Sequence, residues 1–172
     1  DKLRVISNIA TGETGILLAD KLIKLGAKVT LLLGPADACC LSSRIKLIRF
    51  KFFDQLKELL IKQLKSGKYD CVIHSAAVSD YKPVKNFGGK IKSGLKTLNI
   101  RLKPTEKVIN WIKKIDQSLL SVGFKFEPNR RKEFLIKESK KLMRQSGADL
   151  IVANTVLQNR YAAYLVAGNS AS

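Results

Sequence analysis

The sequence contains few of the residues that build metal sites, disulfides or aromatic binding surfaces. Its 172 residues include one histidine, three cysteines and 7% aromatic side chains. Cys39, Cys40 and Cys71 have neither zinc nor redox spacing, and this pattern is typical of a reduced, cytoplasmic protein without a metal site. No apolar run reaches the roughly 18 residues that cross a bilayer, and the polar start argues against a signal peptide. We therefore expect no membrane attachment.

Acidic residues are also scarce, and the net charge is +18, from 32 lysines and arginines against 14 aspartates and glutamates. Such a surplus can attract nucleic acid, an anionic surface or a small polyanionic substrate. The lysines are spread over nearly every segment, and aromatic residues do not alternate with them as they do in proteins that bind single strands. A basic nucleic-acid-binding module stays open as an alternative, but this dispersal argues against it.

Two kinds of apolar segment alternate along the chain, short continuous runs and runs with helical spacing. The predicted strands are Leu3–Ile6, Val29–Leu33, Ile45–Phe50, Tyr69–Ile73, Leu98–Leu102, Leu119–Phe124, Asp149–Ala153 and Tyr161–Val166, the last as a hairpin or edge strand. The predicted helices are Ile16–Leu25, Asp54–Leu64, Thr105–Ile115 and Arg131–Arg144, with Asp54 and Thr105 as caps. This alternation predicts an α/β fold, a single domain over residues 1–172 with a doubly wound, mostly parallel Rossmann-like sheet and helices on both faces.

In a doubly wound sheet, ligands bind beyond the carboxyl ends of the strands. The loop Asn8–Gly15 reads NIATGETG, and its glycines would let backbone amides approach a phosphate at the start of a helix. The strand Tyr69–Ile73 is followed by two alanines, then by Asp80 and, after a glycine pair, by Lys90. A carboxylate there can orient ribose hydroxyls or a magnesium ion, and a lysine on a hinged loop can neutralise phosphates. These loops predict a nucleotide site and leave the reaction open.

A different interpretation comes from Tyr81 and Lys85, which have the Tyr-x-x-x-Lys spacing of short-chain dehydrogenases. An NADP-dependent reductase needs both side chains on one helical turn, and Pro83 opposes a helix there. Gly34-Pro35 at the end of the second strand lacks the acid that holds an NAD ribose, although this counts less against NADP. His74, at a strand end, is predicted to be a packed side chain rather than a catalytic base.

Six stretches, taken in order, resemble the phosphopantothenate–cysteine ligase family. They are Arg4–Gly15 (RVISNIATGETG), Gly26–Pro35 (GAKVTLLLGP), Ala76–Tyr81 (AAVSDY), Lys90–Lys92 (KIK), Val122–Phe124 (VGF) and Asp149–Asn154 (DLIVAN). Each stretch is weak alone, but the ordered set is specific and covers most of the chain. The resemblance implies ligation of 4'-phosphopantothenate to cysteine through an acyl-nucleotidylate, in coenzyme A biosynthesis. The cosubstrate would be CTP, or alternatively ATP, with Mg²⁺.

Site residues follow from the resemblance, position by position. Lys90 would stabilise charge in the first step, Asn8 would handle the acyl-nucleotidylate, and Arg4 matches the family's nearby arginine. Gly12 and Gly15 would belong to the triphosphate loop. The residues that would line the nucleotide pocket or contact the nucleotide are Ala76, Ala77, Asp80, Phe124 and Lys141.

The chain also departs from the family pattern. Ala10-Thr11-Gly12 replaces Ser-Ser-Gly, Gln145 stands where a second lysine is usual, and Thr105-Glu106-Lys107 replaces an Asn/Thr-Pro-Asp nucleotide contact. A glycine-rich segment before Asp1 and a long helix after Asn169, both usual in the family, are not part of this sequence. As partners, the resemblance implies a second copy of the chain in a homodimer and a phosphopantothenoylcysteine decarboxylase, fused or separate.

Overall fold

The computed structural model describes residues 5–36, 41–85 and 88–168, and they form an α/β fold. The helices are α1 (Glu13–Lys24), α2 (Phe53–Leu64), α3 (Ile109–Ile115) and α4 (Lys132–Ser146). The strands are β1 (Thr30–Leu33), β2 (Lys46–Arg49), β3 (Cys71–His74), β4 (Tyr81–Pro83), β5 (Leu102–Pro104), β6 (Leu120–Phe126), β7 (Leu150–Leu157) and β8 (Arg160–Ala167). None of the helices in these ranges is long and apolar enough to cross a membrane.

The strands form a mostly parallel arrangement, as predicted. β1 pairs with β2 in parallel, and β3, β6 and β7 lie side by side in parallel with β8 antiparallel at the edge. β4 and β5 make a separate antiparallel ribbon. The predicted hairpin at the end of the chain is confirmed: β7 and β8 are joined through Gln158 and Asn159, with φ of 49° and 59°. Two successive positive φ angles are typical of a turn that matches the strand twist.

Helices cover both faces of the fold, also as predicted. On β1, Leu31 packs with Ala19 and Ile23 of α1, whereas Leu32 packs against the core that contains α2. Successive strand residues point to opposite faces, so α1 and α2 lie on opposite sides of β1. The larger core joins α2, α3, α4 and the four-stranded sheet. Its members include Leu56, Leu60, Leu64, Trp111, Ile112, Leu135, Met143 and Ile151.

Two local expectations at the start of the chain are not met. The helical spacing of Leu17, Leu18, Leu22 and Leu25 predicts one buried face for the first helix, but Leu17 and Leu25 are 61% and 73% exposed. Ala19 and Ile23 are buried instead, and both pack in a cluster with Leu31 of β1. Of the predicted strand Leu3–Ile6, residues 3 and 4 lie outside the described ranges, and residues 5 and 6 belong to no strand and are exposed.

The two predicted helix caps are wrong, because both side chains have partners elsewhere. At the start of α2 it is the Gln55 side chain that accepts hydrogen bonds from the preceding backbone. Asp54 instead forms an ion pair with Lys82 of β4, at 2.6 Å. The Thr105 hydroxyl donates to the Ser79 carbonyl, at 2.6 Å, and α3 begins only four residues later. Both partners tie β4 and its flanking residues to neighbouring elements.

Candidate functional site

The glycine loop lies at the carboxyl ends of β1 and β3. Gly12 precedes α1 with φ of 75°, a left-handed conformation that strains other residues. A Cβ at Gly12 would also lie 3.0 Å from the Cβ of Ala36, so glycine is required by conformation and by space. A Cβ at Gly15 would lie 3.4 Å from the Ser75 Oγ, just beyond β3. The start of α1 therefore faces the end of β3, where its free backbone amides can meet an anion.

Asn8 connects this loop to the alanine pair after β3. Its side-chain amide donates to the Ala77 carbonyl, and its Oδ1 accepts from the Ala10 amide at 3.2 Å. The two residues joined by the first bond are 69 positions apart in sequence. The structure thus brings together two of the segments predicted to form the site.

A large cleft runs along β1 and β3 and includes the loops beyond their carboxyl ends. Five predicted site residues line it, namely Asn8, Gly12, Gly15, Ala76 and Ala77. Gly88 and Ile91, on either side of Lys90, line it as well, while Lys90 itself is exposed. The loop that carries the predicted lysine therefore borders the cleft. Arg4, the remaining predicted catalytic residue, lies outside the described ranges.

A smaller cavity of about 210 Å³ lies on the other side of the alanine pair. Its lining includes His74, Ala76, Ala77, Ser79, Asp80, Thr105, Glu106, Lys107, Lys125 and Leu142. Asp80, predicted for the nucleotide pocket, forms an ion pair here with Lys107. Their side chains are 59% and 58% exposed, so the pair remains accessible from solvent.

The segment that carries Lys107 is held by its neighbours. The Thr105 amide donates to the Asp80 carbonyl at 2.9 Å. Glu106 forms an ion pair with Lys57 of α2 at 2.8 Å, and the hydrogen bond from Lys57 lowers the pKa of the Glu106 carboxyl. The Lys57 ammonium also lies 4.7 Å from the centre of the Trp111 ring, a cation–π distance. These contacts were not predicted, because the sequence places their partners far apart.

His74 is packed, as predicted, and not charged at neutral pH. It ends β3 and borders both the cleft and the smaller cavity. Loss of hydration on burial lowers the pKa of its imidazole from 6.5 to about 4. The neutral ring is therefore part of the wall between the two spaces.

Phe124 and Lys141 lie apart from both spaces among the described residues. Phe124 is in β6, opposite Val152, whereas its neighbour Lys125 lines the smaller cavity. Because strand residues alternate, Phe124 faces the opposite side of the sheet. Lys141 is exposed on α4, and the adjacent Leu142 lines the cavity. The nucleotide contacts assigned to Phe124 and Lys141 stay predictions.

The dehydrogenase-like pair does not form. Tyr81 begins the extended strand β4 and Pro83 ends it, so Tyr81 and Lys85 are not on one helical turn. The Tyr81 side chain is 57% exposed. The reductase interpretation is wrong on this geometry.

The side chains available as metal ligands decide how the predicted magnesium ion could be bound. Within residues 5–36, 41–85 and 88–168, no three His, Cys, Asp or Glu side chains are gathered in a way that could hold a metal. Asp80 offers a single carboxylate, and Glu106 on the same cavity is occupied by Lys57. Mg²⁺ commonly binds through one or two carboxylates together with substrate phosphates. A magnesium ion would therefore have to be held mainly by a ligand's phosphates, because the described residues gather no cluster of carboxylates for it.

Fold and cleft together define a doubly wound α/β protein whose cleft includes the loops at the carboxyl ends of its strands. The chain belongs to the family described as the DNA/pantothenate metabolism flavoprotein C-terminal domain, whose model matches residues 1–167. It is similar to the "Coenzyme A biosynthesis bifunctional protein CoaBC" of Thermococcus kodakarensis, with 34% identity over 156 residues. That match covers 91% of this chain and 38% of the relative, so the chain spans less than half of that protein.

Solved structures agree with the fold. The DNA/pantothenate metabolism flavoprotein from Streptococcus pneumoniae superposes with a TM-score of 0.87 at 25% identity, over 99% of this chain and 84% of that one. A Cab2 variant, solved in complex with phosphopantothenate-cysteine, has a TM-score of 0.68 at 15% identity, over 99% of this chain and 75% of that one. The second likeness concerns the fold alone.

Proposed function

We propose that this chain is a ligase domain that joins 4'-phosphopantothenate to cysteine in coenzyme A biosynthesis. The observation that carries the proposal is the contact between Asn8 and Ala77, because it unites the glycine loop and the alanine pair in one cleft. Family membership over residues 1–167 supports it, as does the similarity to the Thermococcus protein of coenzyme A biosynthesis.

The proposed chemistry has two steps. A carboxylate oxygen of phosphopantothenate attacks the α-phosphorus of a nucleoside triphosphate, and pyrophosphate leaves. The cysteine amine then attacks the acyl carbon, loses a proton and displaces the nucleoside monophosphate. In the first step the Lys90 ammonium neutralises charge, while amides near Gly12 and Gly15 hold phosphate oxygens. In the second, the Asn8 amide orients the acyl-nucleotidylate.

Lys90→Ala is expected to lower pyrophosphate release with CTP and phosphopantothenate by about 10²-fold or more, the usual effect of removing one preorganised charge contact. Asn8→Asp is expected to keep pyrophosphate release but to yield little ligated product. Phosphate release assays coupled to pyrophosphatase, with product followed by mass spectrometry, separate the two steps.

Lys96→Ala, an exposed lysine in the same segment, and Asn129→Asp, in an exposed turn, are the matched controls. Unchanged pyrophosphate release in Lys90→Ala would rule out the role proposed for that lysine. Full ligation by Asn8→Asp would do the same for Asn8.

The cosubstrate is proposed to be CTP, with Mg²⁺ bound to its phosphates. A thermal-shift comparison of CTP, ATP and NADPH tests this choice. A ligand at 100 times its dissociation constant stabilises the fold by about 2.7 kcal/mol, which such an assay resolves readily. Stabilisation by ATP but not CTP would reverse the assignment.

The partners are proposed to be a second copy of the chain and a phosphopantothenoylcysteine decarboxylase, in the cytoplasm. Exposed apolar side chains near the β4–β5 ribbon support the homodimer; they are Tyr81, Leu95, Leu98, Ile100 and Leu102, at 39–57% exposure. The word "bifunctional" in the relative's name, with 38% of its length matched, supports a second enzyme. The homodimer is tested by comparing the sedimentation of the parent protein with that of the Leu102→Lys variant.

A further inference from the structure

The ion pair between Asp80 and Lys107 joins two segments that both line the smaller cavity. The contact uses the Oδ1 oxygen of Asp80. The other carboxylate oxygen is left to accept hydrogen bonds from a ligand. The ion pair restricts the rotation of the carboxylate before a ligand arrives, which lowers the entropic cost of binding.

Lys107 is itself held in place by its neighbours. The Thr105 hydroxyl donates to the Ser79 carbonyl at 2.6 Å, and the Thr105 amide donates to the backbone carbonyl of Asp80. Glu106 is anchored to α2 through Lys57. The residues before Lys107 are therefore tied to two elements, and the lysine reaches Asp80 from a fixed backbone.

The size of the cavity limits what Asp80 can contact. Its volume of about 210 Å³ lies below the roughly 300–1,000 Å³ of pockets that enclose a whole drug-sized ligand. That space fits a sugar or a single-ring base, whereas a whole nucleoside triphosphate would extend into the adjoining cleft. A carboxylate on such a wall is suited to accept hydrogen bonds from neighbouring sugar hydroxyls.

We propose that Lys107 is a positioning residue of the nucleotide site, which holds Asp80 so that the site distinguishes a ribonucleotide from a deoxyribonucleotide. This inference rests on the proposed function. Lys107 acts through Asp80 and does not take part in the chemical steps.

The experiment compares binding of CTP and 2'-deoxy-CTP by calorimetry, without phosphopantothenate. We expect the parent protein to bind CTP more tightly than 2'-deoxy-CTP. In Lys107→Met the ratio of the two affinities should fall by about fivefold, which corresponds to the small free energy of an exposed ion pair. Lys107→Arg should restore the preference. Asp80→Asn should lose it too, and adding Lys107→Met to that variant should have no further effect.

Lys62→Met, at the far end of α2, is the control for loss of one positive charge and should leave both affinities unchanged. A general structural role of Lys107 would weaken both nucleotides equally and leave their ratio unchanged, which would overturn the inference. An equal affinity of the parent protein for the two nucleotides would also overturn it. If the parent protein binds neither nucleotide, the proposed function itself fails.

Discussion

At the scale of single residues, the sequence predicted the positions whose role depends on the local backbone. Gly12 was predicted because glycines before a helix let backbone amides approach a phosphate, and the structure places it before α1 with a left-handed φ. Asn8 and Ala77 were found by resemblance, and their contact needed the fold to form. Lys107 was noticed only as a departure from a family pattern, because its partner Asp80 is 27 residues away.

His74 gives a prediction about acid stability. Its pKa is about 4 in the folded protein against 6.5 in an exposed histidine, so the unfolded chain binds one proton more between these values. His74 therefore leaves the free energy of unfolding unchanged above pH 6.5, and it lowers this free energy as the pH decreases from 6.5 towards 4. The loss attributable to His74 is up to about 3 kcal/mol.

The measurement is urea unfolding of the parent protein and of His74→Gln at several pH values. The chain has a single histidine, so the difference between the two curves isolates its contribution. The difference should change between pH 6.5 and 4 and stay constant above. If the two proteins differed by the same free energy at every pH, the pKa of His74 would not be lowered in the folded protein.

At the scale of helices and strands, the sequence predicted which elements exist better than how they meet. The long elements α2, α4, β6 and β7 were each expected near their observed places. The ribbon strand β4 was not, because Tyr81-Lys82-Pro83 is extended only through its pairing with β5. The start of α3 was misplaced for a similar reason, since Thr105 bonds to Ser79 across the molecule. Non-local pairing has no local sequence signal.

The contact between β6 and α3 gives a prediction about packing in the core. A Cβ at Gly123 would lie 2.4 Å from the Ile109 Cδ1 and 2.8 Å from the Ile151 Cδ1, and both isoleucines are buried. Gly123→Ala should therefore destabilise the fold by about 1–3 kcal/mol through overpacking. Chemical denaturation measures this, with Gly89→Ala, which has open space around it, as the control.

Removing the Ile109 Cδ1 methyl group tests whether overpacking is the cause of this destabilisation. Ile109→Val alone should cost about 0.5–1.5 kcal/mol, because it leaves a small void. Combined with Gly123→Ala, the total cost should be less than the sum of the two, since the new Cβ occupies that void. Strict additivity would mean that the two side chains do not meet.

At the scale of the whole molecule, the fold class was predictable and the order of the strands was not. Alternating strands and helices imply parallel pairing, but nothing local places β3 beside β6 rather than beside β4. The net charge of +18 follows directly from the composition, and it comes from lysines that are spread over the whole sequence. In the described ranges, ion pairs such as Lys24–Asp20 and Lys125–Glu127 use part of the scarce acid.

Most of the positive charge is therefore uncompensated, which gives the third prediction. Self-repulsion opposes the compact state and is screened by salt, with a Debye length of about 8 Å at physiological ionic strength. Raising sodium chloride from low to moderate concentration should increase the melting temperature by roughly 2–4 °C, equivalent to about 1 kcal/mol. Calorimetry at constant pH measures the shift. A lower melting temperature in salt would show that the surface ion pairs outweigh the repulsion.

The bond between Asn8 and Ala77 also has a consequence for how the protein reaches its native state. It closes a chain segment of 69 residues, and the contact of Lys57 with Glu106 closes one of 49. Contacts of such large sequence separation slow the search for the native topology, because the loop entropy is lost before any contact compensates for it. The cleft is complete only when segments this far apart in the chain have come together.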